Sequence, residues 1–270
     1  MCRHLGYVGP PVTVGELLVR GPHSLFVQSW APRRMRGGGT VNADGFGAAW
    51  WRRANAGIDD VRHTVSRYRN PAPIWTDPAV EEVLGQLESH AVVAAVRSAT
   101  VGMPIERGAC APFTDEHWAF SHNGLVPAWR AVLPAVAADL DATLDAPVFR
   151  SPAILLEAES LTDSAALWVL LRGLLETLDP AVALTRLTGA VLRHAPEARL
   201  NLLLGNGIEL WATTVYHSLS ALVTDDAAVL SSEPYDDDPR WQTVPDRSLV
   251  TAVPGRLTVT DLPALERSRT

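Results

Sequence analysis

The order of patterns along the chain predicts an α+β fold of antiparallel sheets covered by helices. Short apolar strands come first, an Ala/Leu-rich helical stretch fills the middle, and apolar runs separated by turns close the sequence. The regular strand–helix alternation that a parallel sheet requires is missing. The helical stretch is marked by Leu167, Leu170, Leu171, Leu174, Leu175 and Leu178, which fall on one face at a 3.6-residue period.

Taken in order, residues 4–9 (HLGYVG) and 45–51 (GFGAAWW) read as short buried strands, with a brief helix at TVGELLV from Thr13. Residues 31–45 (APRRMRGGGTVNADG) combine Pro, three Arg and a Gly triplet, the composition of a mobile connection beside a site. Strands are expected at 91–97 (AVVAAVR) and 117–122 (HWAFSH), the second stopping at Asn123-Gly124. Core helices follow between Pro127 and His194, one of them behind the cap candidate Thr162. The final third (RLNLLLG, IELWATT, SLSALVT, AAVLSSE, RSLVTAV, GRLTVTDL) reads as an antiparallel meander.

A chain of 270 residues that is 47% hydrophobic can bury a sizeable core, and it reads as one domain. The net charge of -7 disfavours a nucleic-acid partner. No apolar run reaches membrane-spanning length, and the start MCRHLGYVGPP lacks the basic-then-apolar order of a signal peptide, so a cytoplasmic protein without a membrane partner is expected. The two cysteines, Cys2 and Cys110, are too few for a disulfide framework and form no metal-ligand spacing; no cofactor is expected. Oligomeric state is not written in these patterns.

Several residues can carry chemistry, each beside a plainer role. Removal of Met1 would expose Cys2 as the first residue, holding both a thiol nucleophile and an α-amine of ordinary pKa about 7.7–8.0 that can act as its base; the plainer reading is a buried Cys. Asn123 and Gly124, after His122, offer a side-chain amide and a backbone N–H for an oxyanion, or merely a hairpin turn. Arg97, with Thr100 three residues on, can grip a carboxylate or form a structural ion pair. Asp163 can hold an ammonium group or cap a helix. Arg33, Arg34 and Arg36 suit an anionic substrate or a solvated loop. Glycines in residues 42–47 (NADGFG) permit close backbone approach, but their spacing fits no nucleotide-binding loop.

The order Cys2, NADGFG, RSAT, HNG and TDS resembles the glutaminase domain of class II glutamine amidotransferases over most of the chain. That resemblance implies an N-terminal-nucleophile hydrolase, a four-layer α/β/β/α sandwich spanning residues 2–270 with Met1 removed. It assigns the nucleophile to Cys2 and the oxyanion hole to Asn123 and Gly124. Arg97 and Thr100 would take the glutamyl α-carboxylate, Asp163 the α-ammonium, and His122 would join the substrate-binding set. MCRHLGYVG, QSWAPRR, AAVRSATVGMPIE, PFTD, SHNG and SSEPYDDDPRW are more similar still to the γ-glutamyl hydrolases of ergothioneine biosynthesis. The implied partner is then a small γ-glutamyl substrate, γ-glutamyl-hercynylcysteine sulfoxide. The alternative is a glutaminase subunit feeding ammonia to a separate synthase. The chain has Cys2-Arg3-His4 and Val41-Asn42 where many amidotransferases have Cys-Gly-Ile and Arg-Gly, a departure that weakens the case for glutamine as substrate.

Overall fold

The computed structural model describes residues 2–36, 41–54 and 62–263. The expected loss of Met1 and the Gly triplet at 37–39 lie outside them. The strands are β1 (Arg3–Thr13), β2 (Phe46–Ala54), β3 (Arg62–Asn70), β4 (Glu88–Val96), β5 (Phe113–Thr114), β6 (Ala119–Leu125), β7 (Arg199–Gly205), β8 (Leu210–Thr214), β9 (Ser220–Val223), β10 (Ala228–Ser231), β11 (Gln242–Thr243), β12 (Ser248–Val253) and β13 (Arg256–Asp261). The helices are α1 (Val14–Val19), α2 (Leu25–Gln28), α3 (Ala79–Glu82), α4 (Trp129–Thr143), α5 (Asp163–Leu175) and α6 (Pro180–His194).

Two antiparallel sheets face each other, ordered β11-β9-β10-β1-β4-β2-β3 and β13-β12-β8-β7-β6-β5. Side chains alternate across a strand, and β4 shows what that does here. Its Val92, Ala94 and Val96 pack with Leu17, Leu18 and Leu25 of α1 and α2, while Ala91 and Val93 join Leu203, Leu210 and Val250 of the second sheet. Both faces of β4 are therefore buried, which is why its sequence is an unbroken apolar run rather than an alternating one. The outer face of the second sheet carries Phe120, Leu202 and Leu204 against Leu133, Leu170, Leu184 and Leu187 of the long helices. The result is the α/β/β/α layering. Each fully buried Leu in these layers contributes about 2 kcal/mol of transfer free energy.

Local rules explain the element boundaries. Thr13 caps α1 by accepting from the Glu16 N–H, and Thr162 caps α5 by accepting from the Ala165 N–H at 3.1 Å, each such cap contributing about 1 kcal/mol. Three features differ from the sequence expectation. β6 does not stop at Asn123-Gly124 but continues through both to Leu125, with Asn123 opposite Asn201 and Gly124 opposite Leu200; pairing with β7 overrides the turn preference of the dipeptide. β3 was not anticipated, because RHTVSRYRN has the charged pattern of an exposed sheet edge. The closing strands are not one meander: β9, β10 and β11 join the first sheet and β7, β8, β12 and β13 the second. An alternating pattern reveals a strand but not the sheet that receives it.

Candidate active site

The register of β1 against β4 pairs Arg3 with Val96, which sets Cys2 beside Arg97 at the ends of two neighbouring strands. Alternation sends His4 into the space between the sheets, where its Nδ1 lies 3.3 Å from the Ser121 hydroxyl on β6. Asn123, two residues beyond Ser121, shares that inner face. A narrow cavity there is lined by Cys2, Ala95, Arg97, Ser121, His122 and Ser164. The Cys2 thiol is half-buried, 3.9 Å from the Ser98 carbonyl oxygen. Cys110 differs: it is fully buried, and burial pushes its thiol up to about 11, so it stays protonated and unreactive.

Arg97 is held by the glycine loop before β2. Its Nη1 donates to the Asp44 carbonyl oxygen at 3.3 Å, its backbone N–H to Gly45 O at 2.7 Å, and its own carbonyl accepts from the Asp44 N–H at 3.0 Å. The Asp44 carboxylate accepts from the Ala99 N–H at 2.7 Å, fixing the backbone between Arg97 and Thr100. Gly45 has φ +119°, and a side chain there would strike the Cys110 sulfur, so glycine is required. Asp44 therefore orients the Arg97 segment, a role hidden in the sequence, where the loop reads only as flexible.

Asp163 opens α5 but is not its cap, since Thr162 does that work. Its carboxylate, nearly buried, accepts from the Val126 N–H at 2.9 Å and the Ser164 N–H at 2.8 Å. Thr100 is exposed on the rim of an open cleft of about 430 Å³ that Val126 also lines, so the structure brings Thr100 to the same cleft that the Asp163 bond borders.

Asn123 is fully buried, yet neither end of its amide has a hydrogen-bond partner among the described residues. Such a group costs about 1–3 kcal/mol, and its presence in a native site points to function. Gly124 admits no side chain: a Cβ there would collide with the Arg199 carbonyl oxygen and the His122 ring. His122 also lines the cavity, but both its ring nitrogens are engaged, Nδ1 with Ser164 Oγ at 3.0 Å and Nε2 with Arg199 O at 2.9 Å. It ties β6 to α5 and β7, and Ser164 is a partner that sequence reasoning passed over.

Sequence reasoning also missed His217. Asn201, opposite Asn123, locks it in place: Oδ1 accepts from the His217 N–H at 3.0 Å and Nδ2 donates to its carbonyl at 2.9 Å. Burial, with Arg3, Arg199 and His122 nearby, lowers the His217 pKa to about 3; burial, with His122, Arg3 and His217, does the same to His4. Both imidazoles are neutral in the folded protein while ordinary histidine titrates near 6.5. Their folded pKa is depressed, so the unfolded chain binds more protons between pH 6.5 and pH 3, and stability present above 6.5 falls through that window. The unfolding free energy from denaturant titration should drop on going from pH 7.5 to pH 5, by roughly 2 kcal/mol per imidazole. A flat profile would show that these histidines are not held neutral.

The family model for class II glutamine amidotransferases matches residues 21–148. The γ-glutamyl-hercynylcysteine sulfoxide hydrolase of Mycobacterium tuberculosis is 44% identical over 271 residues, covering 100% of this chain and 99% of the relative. That of Mycolicibacterium smegmatis is 42% identical, covering 97% and 100%. Among solved structures, a glutamine aminotransferase class II domain protein from Silicibacter pomeroyi superposes with TM-score 0.60 at 21% identity, covering 97% of this chain and 100% of that one. The glutamine phosphoribosylpyrophosphate amidotransferase of B. subtilis gives TM-score 0.61 at 13% identity, covering 97% and 49%. These two likenesses show that the chain shares its fold with those proteins. No helix among the described residues is long and apolar enough to cross a membrane. With the full-length identity to its mycobacterial relatives, the chain belongs to the class II glutamine amidotransferase family, on the line whose curated members are γ-glutamyl-hercynylcysteine sulfoxide hydrolases.

Proposed function

We propose that this chain hydrolyses the γ-glutamyl amide bond of γ-glutamyl-hercynylcysteine sulfoxide, releasing glutamate and hercynylcysteine sulfoxide in ergothioneine biosynthesis. The observation that carries the reading is the 42–44% identity, across essentially the whole chain, to hydrolases named for that substrate. The functional unit is residues 2–270 with Met1 removed, acting in the cytoplasm on a small-molecule substrate.

The α-amine of Cys2 takes the thiol proton and the thiolate attacks the γ-carbonyl carbon. Asn123 Nδ2 and the Gly124 N–H receive the negative charge that develops on the carbonyl oxygen. The Cys2 ammonium then returns its proton to the departing nitrogen, the C–N bond breaks, and a γ-glutamyl thioester remains. Water, deprotonated by the same amine, attacks the thioester; glutamate leaves and the thiol is restored. Arg97 and Thr100 hold the α-carboxylate of the glutamyl group and Asp163 its α-ammonium. His122, whose ring nitrogens are committed to protein, contributes ring surface to the pocket wall.

Arg97→Ala or Asp163→Ala should lower kcat/KM on γ-glutamyl substrates by about 2–5 kcal/mol in transition-state free energy, mainly through KM, because each removes a charged anchor from one end of the head group. Wild-type kinetics in either variant would return that residue to a structural role. The substrate assignment is tested by glutamate release from γ-glutamyl-hercynylcysteine sulfoxide and from glutamine in parallel. A strong preference for the sulfoxide is expected, since binding energy from the large amine raises kcat/KM. A wide preference for glutamine, rising further with a partner synthase, would instead establish the ammonia-supplying subunit that the relatives' names do not favour.

A further inference from the structure

The sheet order β10-β1-β4 gives Cys2 two flanks. Arg97 follows β4 on one, which is the glutamyl side. The departing amine must therefore lie toward the other, where Ser232 and Glu233 follow β10 and Ser232 bonds the backbone of β1 at His4. That flank is covered by residues 33–36, and the cover is fastened from beneath. Arg3, fully buried, donates from Nη2 to the Arg34 carbonyl oxygen at 3.1 Å and touches the Met35 sulfur. Ser218 Oγ donates to the same carbonyl at 3.3 Å. Glu233, also buried, accepts from the N–H groups of Arg33 at 3.0 Å and Arg34 at 2.6 Å.

The wall carries carboxylates as well as guanidinium groups, and those carboxylates are engaged by protein: Asp237 lies 3.6 Å from Arg33 Nη1, and Asp246 accepts from the Tyr216 N–H at 2.7 Å. Arg36 Nη1 donates to the Tyr216 carbonyl at 2.7 Å, and the Arg199 guanidinium lies 4.3 Å over the Tyr216 ring. Tyr216 has φ +87°, a backbone state that a residue with a side chain adopts only when its surroundings enforce it. The His217 ring packs edge-on against Tyr216 at 4.9 Å, and its Nε2, like Arg3 Nε and Nη1, is buried without a hydrogen-bond partner among the described residues. Glu233, the carboxylate at the centre, is already committed to two backbone N–H groups. Guanidinium groups and unpartnered buried nitrogens around a saturated carboxylate favour an incoming anion. An α-amino acid leaving through its amine carries one two bonds from the scissile nitrogen, whereas ammonia carries none.

We propose that the wall of residues 33–36 with Tyr216 and His217 is the leaving-group subsite, that it selects an amine bearing an α-carboxylate, and that Arg3 is its positioning residue. The proposal rests on the γ-glutamyl hydrolase reading above. The test uses full-length enzyme beginning at Cys2 and two probes, γ-glutamylalanine and γ-glutamylethylamide, whose leaving amines differ by the carboxylate alone. Wild-type kcat/KM should favour γ-glutamylalanine by about 10–100-fold, the value of a charge-assisted hydrogen bond. Arg3→Met should erase that preference by losing activity on γ-glutamylalanine while retaining it on the ethylamide, and Arg3→Lys should keep part of it. Equal wild-type rates, or an Arg3→Met variant depressed equally on both probes, would overturn the subsite. Should Arg3→Met fail to fold, the exposed Arg36→Gln variant decides, since an unchanged probe ratio there overturns the proposal equally. Hydrolysis of neither probe by wild-type enzyme would instead refute the γ-glutamyl reading itself.

Discussion

Protein in which Cys2 is preceded by an uncleaved residue or tag should fold normally and be nearly inactive, the largest effect expected of any change to this chain. The proposed mechanism gives Cys2 two tasks, and only the thiol survives when its nitrogen is acylated. A peptide nitrogen has no usable lone pair, so the thiol loses its base and the leaving amine its proton donor. Cys2→Ala should remove activity altogether. Cys2→Ser should retain a trace, because the amine remains while the nucleophile becomes poorer. Intact-mass analysis of active enzyme should show Met1 gone, and circular dichroism should show the blocked form folded. A blocked form that cleaves γ-glutamyl substrates as fast as the trimmed one would refute the N-terminal-nucleophile mechanism.

The second large effect is expected at Asn123, and here activity and stability should part company. An oxyanion donor strengthens its bond only as charge develops, so Asn123→Ala should lower kcat by on the order of 10²–10³ with little change in KM. Neither end of the Asn123 amide is hydrogen-bonded within the described residues. Truncation therefore breaks no protein bond and relieves a buried polar group, and it should leave stability within about 1 kcal/mol of wild type. Asn201 provides the contrast. Its amide holds Val215 and His217, just beyond β8, through three bonds, so Asn201→Ala should lose stability first. An Asn123→Ala protein that is markedly destabilised yet keeps its kcat would make Asn123 a framework residue.

What was legible beforehand follows from interaction range. The α5 helix needs only its leucine period and Thr162, which caps it three residues away. The buried strand at β4 announces itself by an apolar run. The candidate residues Cys2, Arg97, Asn123 and Asp163 were recognisable as motifs in order, though each had a plainer local role of equal or greater weight.

The sequence by itself thus determined the class of the fold, the existence of most strands and helices, and which side chains were chemically capable. Only tertiary structure decided the rest. Asn123-Gly124 became strand rather than turn because β7 supplied a partner from more than seventy residues away. The closing strands were dealt to two sheets because alternation specifies a face, not a neighbour. The network of Arg3, Arg34, Ser218 and Glu233 joins segments up to 200 residues apart, and no local pattern encodes such contacts. Propensity and capping act within a few residues, whereas a site assembled between two sheets is fixed by register and by packing across the layers.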